Sequence, residues 1–168
     1  MRPVLIFALT VTVARPIASQ EVKPSGRPSD SLLAFIDRFL NEPTHYARFW
    51  RAILDSAEAR PDVRITISPS VVPWLCGMGR SAADRKAFAS LLLGAFVAGN
   101  MRQQLISKKK GDQPQSGMQA VVHVYKQVRG RLPAFTDSIA DRWVALDSTG
   151  EFPRHADSVA AYPMKECP

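Results

Sequence analysis

Three histidines are the first residues to test for chemistry, and their spacing separates them. His45, His123 and His155 are far apart in the chain, with no pair set on one helix as a metal site requires. His123 keeps company with Gln119, Lys126 and Gln127 on the polar side of a helix, the position of a solvated ring. His45 falls at a helix start, where the dipole disfavours an imidazolium. Asp137 and Asp141 are four apart and share a helix face, the arrangement of an acid–base pair with split pKa values. The plainer reading puts Asp137 at a helix start, favoured by the dipole, and makes Asp141 a surface charge beside Arg142.

Two short motifs carry less than they promise. Gly77-Met78-Gly79-Arg80-Ser81-Ala82 fits G-x-G-x-x-A ahead of a helix. Pro73 interrupts the strand that a dinucleotide site needs before it, and no acidic residue follows at about twenty positions. An anion held by the helix start with Arg80 is the milder reading. Ser107-Lys108-Lys109-Lys110 satisfies S-x-x-K, but a lysine triplet beside Gly111 and Asp112 reads as a solvated loop, and the companion motifs are absent. Neither a catalytic residue nor a metal ligand set is assigned, and no cofactor is expected.

The two cysteines, Cys76 and Cys167, exclude a Cys-rich zinc module. In an oxidising compartment they can pair across most of the domain; left reduced, Cys76 is the one candidate for a Cys–His nucleophile. The compartment is set by the N-terminus. Arg2 precedes the apolar stretch Val4 to Ala14, and Ala18 and Ser19 offer small residues for a cut after Ser19. Residues 1–19 therefore read as a signal peptide, too short to span a bilayer. A periplasmic or secreted bacterial protein is expected, with no transmembrane helix in the mature chain.

Basic residues are the remaining asset. The 168-residue chain carries 22 Lys and Arg against 15 Asp and Glu, a net charge of +7, and the signal peptide removes two arginines and no acid. Arg102, Lys108, Lys109 and Lys110 cluster at one end of the longest apolar segment, where cations suit a helix dipole. Arg80, with Arg85 and Lys86, forms a group at the other end. Lys126, Arg129 and Arg131 form a third. Such groups can meet anionic lipids, glycans or an acidic protein. Aromatic residues are not interleaved with them, so nucleic acid is not expected.

The elements that must position these residues read as helices. Hydrophobic residues make up 46% of the chain and aromatic residues 8%, enough for one packed domain. After a polar linker at 20–29, Leu32, Leu33, Phe35, Ile36, Phe39 and Leu40 mark one side of a helix that Pro43 stops. Tyr46, Phe49, Trp50, Ile53 and Ala57 mark a second, from Thr44 to about Arg60. Val63 to Ile67 alternates with period two, but one short strand without a partner makes no sheet, so it reads as an extended connector. A central helix is predicted over about 81–106, apolar nearly all round between Ala87 and Met101. Its small residues, Gly94 with Ala98 and Ala95 with Gly99, predict close helix approach, with Val121 and Val122 of the next helix beside them. That next helix is expected over 117–128 and a last clear one from Thr136 to about Leu146.

The predicted fold is an all-α bundle of four main helices plus short turns. Residues 30–150 form the helical domain and 151–168 a Pro-containing tail with at most one weak turn. The function expected of it is protein binding. One alternative is a basic polyanion or membrane-surface binder. The other is a small extracytoplasmic hydrolase whose site folding assembles from His45 or His155 with a carboxylate.

Overall fold

A computed structural model describes residues 28–80, 83–132 and 136–162, and the described residues contain helices and no strand. The helices are α1 (Pro28–Asn41), α2 (Pro43–Tyr46), α3 (Trp50–Glu58), α4 (Ala83–Ser107), α5 (Pro114–Arg131), α6 (Ser138–Ser148) and α7 (Phe152–Ala161). Two 3-10 segments, Ala47–Phe49 and Pro73–Arg80, complete the order. The all-α class holds. The count differs, with six helices longer than a single turn instead of four.

Two places account for the difference. The second expected helix is split: a single turn begins at Pro43, passes into 3-10 geometry at Ala47–Phe49 and resumes as α3. Proline at a first helical position suits a start, because the missing N–H has no partner there in any case. The stretch after Glu151, expected to hold one weak turn, forms α7. Its Phe152 is fully buried and Ala156 nearly so, with Val159 packed against the core. Pro153 sits in its first turn, a position where proline suits a helix start.

α4 occupies the middle because its neighbours cover it from several sides. α1, α3, α5 and the 3-10 segment at Pro73–Arg80 all pack on it. Leu92, Ala95, Phe96, Ala98 and Met101 are wholly buried. That explains an apolar circumference on a helix of 25 residues, and no helix of the described residues is long and apolar enough to cross a membrane. The small residues serve two different neighbours. A Cβ on Gly99 would stand 2.4 Å from Ala120 Cβ and 2.5 Å from the Ser116 carbonyl oxygen, so α5 crosses here at backbone distance. A Cβ on Gly94 would meet Trp50 Cβ at 2.9 Å and Phe39 Cζ at 3.0 Å, which places α3 and α1 on that side. The crossing with α5 thus uses Ser116, Gly117 and Ala120, with Gly117 set against Phe96, about one turn before the expected Val121 and Val122.

α6 and α7 close the other side of α5. Trp143 stacks edge-on against Trp74 at 5.6 Å and packs on Phe152 at 5.8 Å. The Trp74 indole N–H is buried with no hydrogen-bond partner. Tyr125, also buried, donates its hydroxyl to Asp141 at 2.7 Å and accepts from the Asp137 amide at 3.1 Å, and burial pushes its phenol above the ordinary value.

Candidate binding cleft

The run Val63 to Ile67 is held by side chains in place of a neighbouring strand. Gln104, on α4, accepts from the Arg64 amide at 2.9 Å and donates to the Arg64 carbonyl at 2.8 Å. Asp112 accepts from the Thr66 amide at 3.0 Å. That Arg64 presents both its N–H and its C=O to one amide, and Thr66 its N–H to the same flank, is the period-two signature of an extended chain. The holders are themselves held. Gln104 donates to Asn100 Oδ1 at 2.7 Å, Asn100 donates to Asp112 at 2.6 Å, and Asn100 Oδ1 also accepts from the Gln113 amide at 3.0 Å. Asn100 is wholly buried and Gln104 almost so. Their amides need these partners, since an unmatched buried polar group costs about 1–3 kcal/mol.

Sequence analysis leaves Asn100 inside a run described as apolar nearly all round, and assigns no holding role to Gln104 or Asp112. The signal was present: two amides four apart, at the end of a core helix, share a face and must have a polar partner. The identity of that partner was not, because Arg64 lies 40 residues earlier.

The other flank of the segment is open. Val63, Ile65 and Ile67 turn their side chains toward α3 and α4, and with Leu54, Ala57 and Glu58 of α3 and Val97 of α4 they line a cleft of about 420 Å³. Val63, Ile65, Leu54 and Ala57 are half-buried against the core, while Ile67 is 49% exposed. The Val63 amide donates back to the Arg60 carbonyl at 3.2 Å. No described residue hydrogen-bonds to the backbone of Ile65 or of Ile67. At the mouth, Arg60 is paired two-pronged with Asp62, at 3.0 and 2.6 Å, and that hydrogen bond holds the Asp62 carboxyl below the usual value. Arg64 and Glu58, which also line the cleft, are exposed.

A second groove, of about 310 Å³, runs between α1, α4 and α5. It is polar, lined by Asp37, Asn41, Arg102, Gln103, Gln119 and His123 among others. Arg102, expected in a basic cluster, is turned to α1, where its Nε meets Asp37 at 2.6 Å. Lys108, Lys109 and Lys110 are exposed in the turn after α4, Lys108 in the left-handed region at φ 53°. Ser107 Oγ accepts from the Lys109 amide at 3.3 Å, a turn-closing contact. Arg80 precedes α4 and the lysines follow it, so a helix length of about 37 Å separates them. The Arg80 side chain, the Ser81-Ala82 part of the glycine motif, residues 1–27 and Cys167 lie outside the described residues. Among the described residues no cysteine is a free thiol.

The candidate acid–base residues have other partners. Asp137 caps α6, accepting from the amides of Ile139 and Ala140 at 3.0 Å each. Asp141 takes the Tyr125 hydroxyl and the Arg129 guanidinium, a cation from α5 in place of the expected Arg142. His45 is exposed and lies edge-on to Tyr46. His123 is exposed and touches Gln127 at 2.8 Å. His155 is half-buried between Trp143 and Phe152, and burial, with nearby Arg142 second, holds its imidazole below the ordinary value. No hydrogen bond or ion pair among the described residues joins a histidine to a carboxylate, and no group of three metal-ligating side chains is assembled there.

Comparison with known proteins adds no relative: no family model matches the chain, no curated protein matches it, and no solved structure matches it.

Proposed function

We propose that this chain is an exported helical domain that works by binding another protein. The observation that carries the reading is the cleft at Val63 to Ile67, where apolar side chains lie beside Ile65 and Ile67 backbone groups that no described residue hydrogen-bonds. Backbone polar groups beside apolar surface are costly to desolvate unless something pairs with them, and a polypeptide supplies both kinds of contact. The export signal at 1–19 and a Cys76–Cys167 bridge belong to the same reading, since a bridged domain suits an oxidising compartment. The test is capture from the periplasmic or secreted fraction with the purified mature chain as bait. A partner retained through a high-salt wash supports the reading; recovery of nothing above background overturns it.

A second reading has its own support. Lys108, Lys109 and Lys110 are contiguous, exposed and in no ion pair with another described residue, as a polyanion or membrane-surface contact requires. It expects binding to heparin or anionic vesicles that falls steeply with salt. No binding at low ionic strength removes it.

A further inference from the structure

We infer that the cleft between α3 and the Val63 to Ile67 segment receives an extended segment of the partner protein by strand addition, with acidic side chains on its solvent face. The inference rests on the protein-binding reading and makes it specific.

The backbone argues for the conformation of the guest. In an extended chain successive residues point their N–H and C=O groups to opposite flanks. Arg64 gives both its N–H and its C=O to Gln104, and Thr66 gives its N–H to Asp112. The alternation therefore turns those of Ile65 and Ile67 to the flank opposite Gln104 and Asp112, where no described residue takes them, while the Ile65 and Ile67 side chains line the cleft beside that edge. A donor and an acceptor on one residue, at strand spacing from the next, match another extended backbone and match no helix, whose polar groups are already used internally. Gln104 and Asp112 make the edge rigid in advance, so a guest meets it without ordering it first.

The side chains argue for the sequence of the guest. Leu54, Ala57 and Val97 accept apolar side chains from alternate positions. Arg64, at the edge of the cleft, is exposed and has no ion-pair partner among the described residues, whereas the neighbouring Arg60 is neutralised by Asp62. A carboxylate at the facing position of an added strand pairs with Arg64.

The test is selection of a random seven-residue peptide library against the immobilised mature protein, followed by affinity measurement on synthetic peptides. Expected are peptides that alternate apolar with Asp or Glu. Their affinity should fall about tenfold or more on Ile67→Pro, which deletes one outer-edge N–H at a half-exposed site. It should fall similarly on Arg64→Glu, with preference moving to Lys-containing peptides. In wild-type protein the Ile65 amide should exchange fast when free and slow when peptide is bound, a readout that does not depend on how the variants fold. Absence of enriched peptides, apolar spacing of three and four, or affinity indifferent to both substitutions overturns the inference. A dimer with Ile65 already protected assigns the edge to a second copy and also overturns it. A captured partner that binds both variants as well as wild type leaves the protein-binding reading standing and removes the cleft as its site.

Discussion

The α4–α5 crossing and the Val63 to Ile67 segment both lie against α4, and they are held by opposite means. At the crossing each helix satisfies its own backbone, so the contact is decided by volume: Gly99 and Gly117 leave out the atoms that would keep the helices apart. At the segment the backbone has no repeating partner of its own, so the contact is decided by hydrogen bonds that two side chains, Gln104 and Asp112, supply and Asn100 braces. The first device asks no side-chain polar group to hold the contact. The second satisfies one flank of a chain, and no described residue takes the Ile65 and Ile67 backbone groups. A region without regular structure is thus where backbone bonding capacity stands unused in this fold, whereas inside a helix the backbone uses its own.

The largest effect should come from breaking the first region. Gly99→Ala forces a methyl to 2.4 Å from Ala120 Cβ, with backbone as the next obstacle. We expect about 2–3 kcal/mol of destabilisation in urea unfolding, against a helix-propensity gain of about 1 kcal/mol already included. An unchanged midpoint would mean that α5 crosses elsewhere. Gln104→Ala strikes the second region. It unpairs the Arg64 amide and carbonyl and should cost about 1–2 kcal/mol, while amide exchange accelerates at Arg64 far more than at core positions of α5. Uniform acceleration would show that the segment is not a separately held unit.

A pH measurement sharpens the contrast between a satisfied core and a strained one. His155 is held below its ordinary value of 6.5 by burial and by Arg142. Its neutral ring therefore contributes stability that is present above about pH 6.5 and is lost as pH falls toward the folded value, because the unfolded chain takes the proton first. His155→Phe should flatten the thermal midpoint between about pH 7 and pH 5; a midpoint that falls as steeply as wild type assigns the acid loss to another group. The smallest effect belongs to the mouth of the cleft. Asp62 is held low by Arg60, so its contribution is present above the ordinary carboxyl value of 3.8 and lost below it. The pair is substantially exposed, and Asp62→Asn should cost less than about 1 kcal/mol, shrinking further with added salt.

How far the residues could be read in advance depended on the range of the forces at work. The helix of α1, the buried side of α5 and the central place of α4 follow from three-and-four periodicity, which is local. So does the extended connector at 63–67. α7 was legible in part, since Phe152, Ala156 and Val159 keep helical spacing and Pro153 sits where a helix tolerates proline. The split at Ala47–Phe49 had no local signal. Of the candidate chemistry, Asp137 was read correctly as a helix-start residue in its plainer form, whereas Asp141 found Arg129 on α5 instead of its chain neighbour Arg142.

Sequence alone determined that this protein is helical and that α4 runs through its centre, because turn-by-turn spacing of apolar residues fixes which face must leave water. Only the tertiary structure decided that Gln104 and Asp112 clasp a segment 40 and 46 residues earlier, and that Ile65 keeps an open edge beside an apolar cleft. Hydrogen bonds reach only about 3 Å, so their partners are chosen by whatever packing brings that close, and spacing along a chain does not record it.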